Sequence, residues 1–207
     1  MADIAFTQKC NSSCIMCTTI RTKDKENIKQ YVPTKKELIR IINSFDKPDY
    51  IGITGGEPLL RKDFFEIINY IFKRHPDTEI KLLTNGRFLY YKNYCKKIIG
   101  AGLKNFLIPI HGHEPELHDF ITRSKGSFKQ TIKGIKNISE YNVFVEIRVV
   151  IHGINYAFLP EIAELIRNEF HHVDRIVFLY FDAIGSGFLN RKRLFIKMEK
   201  VVPHLQE

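Results

Sequence analysis

Three cysteines fall close together near the start of the chain, in the stretch "CNSSCIMC", as Cys10, Cys14 and Cys17. The one other cysteine, Cys95, lies far along the sequence. A structural zinc takes four ligands and a closed iron–sulfur cluster takes four cysteines. Three thiolates at this spacing therefore suit a metal centre with one position left open. In a four-iron cluster, the iron without a protein ligand is free to take a chelating group from a small molecule. A disulfide framework fits poorly, because such frameworks belong to small secreted chains with many cysteines at wider spacing. Cys95 sits on the apolar stripe Tyr91, Tyr94, Cys95 and Ile98 and reads as a small core hydrophobe.

The elements that position these residues follow from two alternating apolar periods. Short β-branched or aromatic runs at Ile4 to Thr7, Tyr50 to Thr54, Glu79 to Leu83, Asn105 to Ile110, Val143 to Ile151 and Arg175 to Phe181 predict strands. Helical stripes lie between them. Leu38, Ile41, Ile42 and Phe45 form one, placed after Pro33-Thr34 as if proline opened the first turn. Phe64, Ile67, Ile68 and Ile71 form another, followed by Phe128, Ile132 and Ile135, and by Leu159, Ile162, Ala163, Ile166 and Phe170. Strands alternating with helices imply parallel strands joined by crossovers. About six such units are too few for a complete eight-unit barrel, so the expected fold is α/β, a partial (β/α)6 TIM-like barrel. A doubly wound open sheet is the competing architecture.

In either fold, ligands collect at the carboxyl ends of the strands. The unusual residues fall there. "CNSSCIMC" follows the first strand, "TGGEP" (Thr54 to Pro58) the second, "TNGR" (Thr84 to Arg87) the third and "HGHEPELHD" (His111 to Asp119) the fourth. The fifth strand carries Glu146 and Arg148 two residues apart, hence on one face, where an inward charge calls for a polar partner. Gly55 and Gly56 let backbone approach a ligand closely, and Glu57 can accept from an ammonium group.

The chain has 207 residues, 44% hydrophobic and 27% charged, which predicts one sizeable core and a single domain over 1–207. There is no linker, repeat or low-complexity tract. No apolar run approaches membrane-spanning length and the first residues lack an export signal, so the expectation is a cytoplasmic protein without a membrane partner. A formal charge of +9 reads first as solvated helix surface and second as attraction to an acidic partner. The aromatics do not interleave with the basic pairs as a nucleic-acid stacking platform requires.

CxxxCxxC after a first strand, with Gly-Gly-Glu-Pro after the second, resembles the radical S-adenosylmethionine superfamily over nearly the whole chain. The resemblance implies that Cys10, Cys14 and Cys17 hold a 4Fe-4S cluster whose open iron is chelated by S-adenosylmethionine. It implies reductive cleavage of that compound to a 5'-deoxyadenosyl radical that abstracts hydrogen from a substrate, with a one-electron donor such as flavodoxin or ferredoxin. It further implies cofactor contacts from Met16, Gly55, Gly56, Glu57, Pro58, Asn85, His111, Arg123 and Arg148. Asn85 and Arg148 are candidates for the ribose hydroxyls and the methionine carboxylate. Arg123 competes with Arg148 for the carboxylate, and either arginine could equally be a structural ion-pair residue, Arg148 with Glu146.

Two positions depart from the family pattern. Many members have an aromatic residue before the third cysteine, where this chain has Met16, and many have a serine on strand four, where it has Pro109. The histidines of "HGHEPELHD" admit a second metal site, but His118-Asp119 reads better as a hydrogen-bonded pair ordering a loop. Asp182 could face a substrate or cap a turn.

The passage from His113 to Asn155 is similar to peptide-modifying members, particularly maturases paired with His-Xaa-Ser repeat peptides, which continue into a cysteine-containing C-terminal extension. The leading expectation is therefore a precursor-peptide substrate. The alternatives are an acidic small-molecule substrate in cofactor or modified-base synthesis, and a non-catalytic iron–sulfur or zinc-binding protein.

Overall fold

The structure, a computed structural model, describes residues 2–206. Its frame is a six-stranded sheet in the order β1 (Ala2–Thr7), β2 (Tyr50–Gly55), β3 (Glu79–Leu83), β4 (Asn105–Pro109), β5 (Phe144–Ile151) and β6 (Arg175–Tyr180). Every neighbouring pair is parallel. This strand order, following the sequence without reversal, has no switch point and rules out the doubly wound alternative. It is the order of a partial barrel. β3 has the expected bounds, and each other strand differs from the sequence expectation by one or two residues at one end.

Helices cover the outer face: α1 (Lys35–Asn43), α2 (Phe64–Arg74), α3 (Lys92–Gly100), α4 (Pro115–Thr122), α5 (Ser127–Ile138) and α6 (Leu159–Glu169). Three short helices follow β6: α7 (Gly185–Leu189), α8 (Arg191–Leu194) and α9 (Met198–Gln206). Pro33 stands outside α1 rather than in its first turn. Thr34 is the N-cap and forms a capping box with Glu37, so two otherwise unpaired backbone donors are satisfied. In α2 the buried set Phe64, Ile67, Ile68 and Ile71 repeats at helical spacing and packs with Phe6, Ile51 and Ile53 of the sheet in one core. Phe64 is fully buried, and truncating such a side chain to alanine costs about 3–5 kcal/mol.

The segment expected to be a loop around His118 contains helix α4, with Pro115 in its first turn. His118 and Asp119 do not bond to each other. The His118 Nδ1 accepts from the His111 backbone N–H at 3.3 Å. The Asp119 carboxylate accepts from the Phe128 N–H and the Ser127 hydroxyl, capping the start of α5. Among the described residues no helix is long and apolar enough to cross a membrane.

Candidate functional site

The carboxyl ends of the strands enclose a cleft of about 830 Å³ including its mouth. Five strands contribute to its wall: Thr54 and Gly55 from β2, Leu83 from β3, Leu107 and Pro109 from β4, Arg148 and Val150 from β5, and Leu179 from β6. The Cys10, Cys14 and Cys17 side chains line the same cleft as free thiols. Pro109 and Arg148 are register partners across β4 and β5, which puts an apolar ring beside a guanidinium where a hydroxyl was the family expectation.

The cysteine loop is held from three sides. Its start is zipped to the end of β2, where Gly56 N donates to Thr7 O at 2.5 Å and Glu57 N to Lys9 O at 2.8 Å. A Cβ on Gly55 would lie 2.3 Å from the Thr7 carbonyl oxygen, at a φ of +126°, and a Cβ on Gly56 would lie 2.1 Å from that of Lys9. Neither space admits a side chain. The glycines are thus required by the cysteine loop's own backbone, besides leaving a bare strip of main chain on the cleft wall. The middle of the loop pairs with the end of α4, Ser13 N to Thr122 O and Ile15 N to Ile121 O, both at 2.9 Å. Arg87 clamps it from β3's side, donating to Asn11 O, to Ser12 Oγ at 3.2 Å and to Ser124 Oγ at 2.9 Å.

Burial pushes the Cys14 thiol up to about 12, helped by the neighbouring Cys17 and Cys10 sulfurs, and burial likewise raises Cys10. A metal centre formed from these thiols must displace their protons, because the thiolate is the ligand. Arg21 supplies a cation in direct contact with the Cys17 sulfur. It is 2% exposed, and its Nε and Nη2 donate to Cys17 Sγ at 3.0 and 2.9 Å. Among the described residues no three Cys, His, Asp or Glu side chains are grouped to hold a single metal ion; three sulfur donors, a bare Gly-Gly wall and buried N–H donors aimed at a sulfur are instead the donor chemistry that would suit an iron–sulfur cluster.

Several residues expected to contact a cofactor are elsewhere. Glu57 is fully buried behind the Gly-Gly step, accepting from Asn85 N at 2.8 Å, Thr84 Oγ1 at 2.9 Å and Leu59 N at 3.1 Å. Burial raises its carboxyl to about 7 against these bonds. It braces the loop that carries Asn85 and does not line the cleft. Pro58 is buried at the start of a short 3₁₀ turn beside it. Met16 joins a small apolar cluster with Ile15, Ile121, Phe181 and Leu194.

Arg123 ends α4 in the left-handed region, φ 52°, and pairs with Asp24 at 2.6 Å, away from the cleft. His111 is buried against His118, ring centroids 5.6 Å apart, because the chain leaves the sheet after Pro109 and carries it behind the wall. Asp182 is exposed beyond β6 and does not line the cleft.

Asn85 and Arg148 do line the cleft. Asn85 Nδ2 donates to Asn11 Oδ1 at 2.6 Å, and so sits beside the cysteine loop. Arg148 also pairs with buried Glu146, Nε to Oε1 at 2.6 Å, and Arg175 Nε donates to the other carboxylate oxygen at 2.6 Å. Arg148 is therefore an ion-pair partner of Glu146 that also lines the cleft. Sequence reasoning gave neither Arg21 nor Arg87 a role: Arg21 belongs to no motif, and Arg87, though it ends the TNGR stretch, has its partners Asn11, Ser12 and Ser124 in tertiary contact.

The family model described as the Radical SAM superfamily matches residues 4–166. A GTP 3',8-cyclase of Nautilia profundicola is 31% identical over 80% of this chain and 52% of its own length. An Fe-coproporphyrin III synthase of Methanosarcina barkeri is 30% identical over 88% of this chain and 44% of its own. The chain thus spans about half the length of these curated relatives. Among solved structures, Streptococcus suis SuiB bound to precursor peptide SuiA superposes with a TM-score of 0.73 at 15% identity, covering 99% of this chain and 45% of that one. At that identity the likeness speaks for the fold alone.

Proposed function

Since the chain belongs to the Radical SAM superfamily, whose members use a 4Fe-4S cluster and S-adenosylmethionine, we propose that its cleft is the radical-generating site of an enzyme acting on a small molecule of nucleotide or cofactor type. When bound, the two cofactors supply one electron and a 5'-deoxyadenosyl radical that takes hydrogen from the substrate. In this reading Cys10, Cys14 and Cys17 hold the cluster by their thiolates. The bare Gly55-Gly56 main chain receives an amino-acid headgroup. Asn85 offers its amide to a hydroxyl, and Arg148 offers a guanidinium to an anion. Because Glu146 occupies Nε of Arg148, anion recognition falls to the terminal nitrogens. Glu57 and Arg87 act one step back by fixing the two loops.

The observation that carries this reading is the convergence of the three thiols, the Gly-Gly wall and Arg148 on one cleft at the carboxyl ends of the strands. The small-molecule substrate class is supported by relatives named for GTP cyclisation and porphyrin synthesis at 30–31% identity. A precursor peptide is the second reading. The sequence from His113 to Asn155 favours it, and so does Leu179, which lines the cleft and is 38% exposed on the unpaired edge of β6, where an extended chain could enter.

Anaerobic reconstitution with iron and sulfide, then reduction in the presence of S-adenosylmethionine, should yield 5'-deoxyadenosine. With deuterated GTP as one arm and a deuterated precursor peptide as the other, the arm that transfers its label into 5'-deoxyadenosine identifies the substrate class. Label from the peptide alone replaces the first reading with the second. No 5'-deoxyadenosine from a fully loaded protein rejects both in favour of a non-catalytic metal-binding protein.

A further inference from the structure

Arg21 stands four residues after Cys17 and belongs to no motif, yet it is among the most completely buried charged residues of the molecule, 2% exposed. Its guanidinium is fully assigned: Nε and Nη2 form a fork on Cys17 Sγ, and Nη1 donates to Gln8 O at 2.8 Å. Its backbone N–H donates to Ser186 Oγ at 2.8 Å. Ser186 is itself buried in α7, which presses on the cysteine loop through Gly187 N to Cys17 O at 3.2 Å. A Cβ on Gly185 would lie 2.1 Å from Thr18 O, so this approach depends on glycine there. A guanidinium cannot lose its charge under these conditions, and isolating it from water is unfavourable unless an anionic partner is present. The chain commits contacts from both ends of its length to keep this cation on one sulfur.

On the premise that Cys17 is a cluster ligand, we propose that Arg21 is a positioning residue that sets the cluster's reduction potential through its fork on the Cys17 sulfur. Reduction adds one electron, and so one negative charge, to the cluster. Hydrogen bonds to a ligating sulfur and a nearby fixed positive charge both stabilise that added charge. The Arg21 side of the contact is buried, which strengthens both effects. Arg21 therefore makes the cluster easier to reduce than the same three-cysteine set would be without it.

The test is an EPR-monitored redox titration of anaerobically reconstituted native protein, R21Q and R21K, with iron and sulfide counted in each. R21Q, which removes charge and fork, should shift the one-electron reduction equilibrium at least tenfold toward the oxidised state, about 59 mV lower in midpoint. R21K keeps the charge without the fork and should shift in the same direction by less. Variants that hold native iron and titrate at the native midpoint overturn the proposal.

Where R21Q fails to retain iron, R21K decides together with the reduced cluster's hyperfine spectrum after exchange into D₂O. An exchangeable proton coupling present in the native protein and absent in R21K supports the fork, and an identical set in both overturns it. A folded native protein that takes up no iron overturns the premise about the cysteines, a result separable from an unchanged midpoint in loaded variants.

Discussion

At the scale of single residues, the site is built from pieces whose tolerance is set by backbone, not by side-chain chemistry. The Cβ missing from Gly56 would fall 2.1 Å from a main-chain oxygen of the cysteine loop, and main chain cannot swing aside as a side-chain tip can. Gly56→Ala should therefore displace the loop and lose most of the iron bound on reconstitution, with circular dichroism close to native. Full iron uptake by this variant would show that the zipper between β2 and the loop is dispensable.

Glu57 allows a second prediction. Its carboxyl is raised from an ordinary 4.5 to about 7, with burial the largest cause, so the folded state prefers it protonated. The unfolded chain ionises it near 4.5, and this residue's contribution to stability declines as pH climbs from about 4.5 to about 7. At about 1.4 kcal/mol per pH unit, the decline is on the order of 3 kcal/mol. Glu57→Gln cannot titrate. Relative to native it should gain by that order between pH 4.5 and 7.5 in denaturant unfolding, and a pH-independent difference would refute the assignment.

At the scale of elements, the strands and most helices were legible because their apolar residues keep one period throughout. The motifs were legible because each follows a strand directly. Helix α4 was not, and the reason is specific. Its buried face is completed by His118 and Thr122 beside Ile121, so polar residues stand where the apolar repeat should be. Asp119, read as the partner of His118, instead caps α5 through Ser127 and Phe128. Asp119→Ala should cost about 0.5–2 kcal/mol, the range for losing a capping side chain, and lower the melting temperature by about 2–4 °C for each kcal/mol. An unchanged melting temperature would remove Asp119 from the account of α5.

The cleft residues follow a similar division. Arg148 was legible from strand parity with Glu146, whereas His111 was not, since parity ends where the chain leaves the sheet. Arg21 and Arg87 are two basic residues among thirty-two; the partners of Arg87 are brought to it only by the fold, and the four-residue spacing of Arg21 from Cys17 does not by itself encode a contact.

At the scale of the whole molecule, a partial barrel places one rim of loops around the cleft and seals polar groups beneath it. His118 and His152 lie in that sealed region, each lowered from 6.5 to about 4, burial being the largest cause. The folded state keeps them neutral while the unfolded chain protonates them near 6.5. Their stabilising contribution is complete above that pH and is lost as pH falls toward 4. These two groups over the 1.5 pH units from 6.5 to 5, at about 1.4 kcal/mol per unit, give about 4 kcal/mol, and His111, which burial also holds well below 6.5, adds to the drop. Measured in a Glu57→Gln background, which removes the opposing carboxyl, unfolding free energy should drop by that order from pH 6.5 to 5. A flat profile would contradict the neutral burial of both histidines.

The proposed chemistry stands on one vacant iron coordination position facing a cleft shaped for a chelating cosubstrate. EPR of the anaerobically reconstituted, reduced protein, recorded before and after addition of S-adenosylmethionine, tests this most directly. A four-iron signal whose g values change on addition, and which is absent when Cys10, Cys14 and Cys17 are replaced by alanine, is the predicted result. A four-iron signal indifferent to S-adenosylmethionine, or zinc in place of iron, would contradict it.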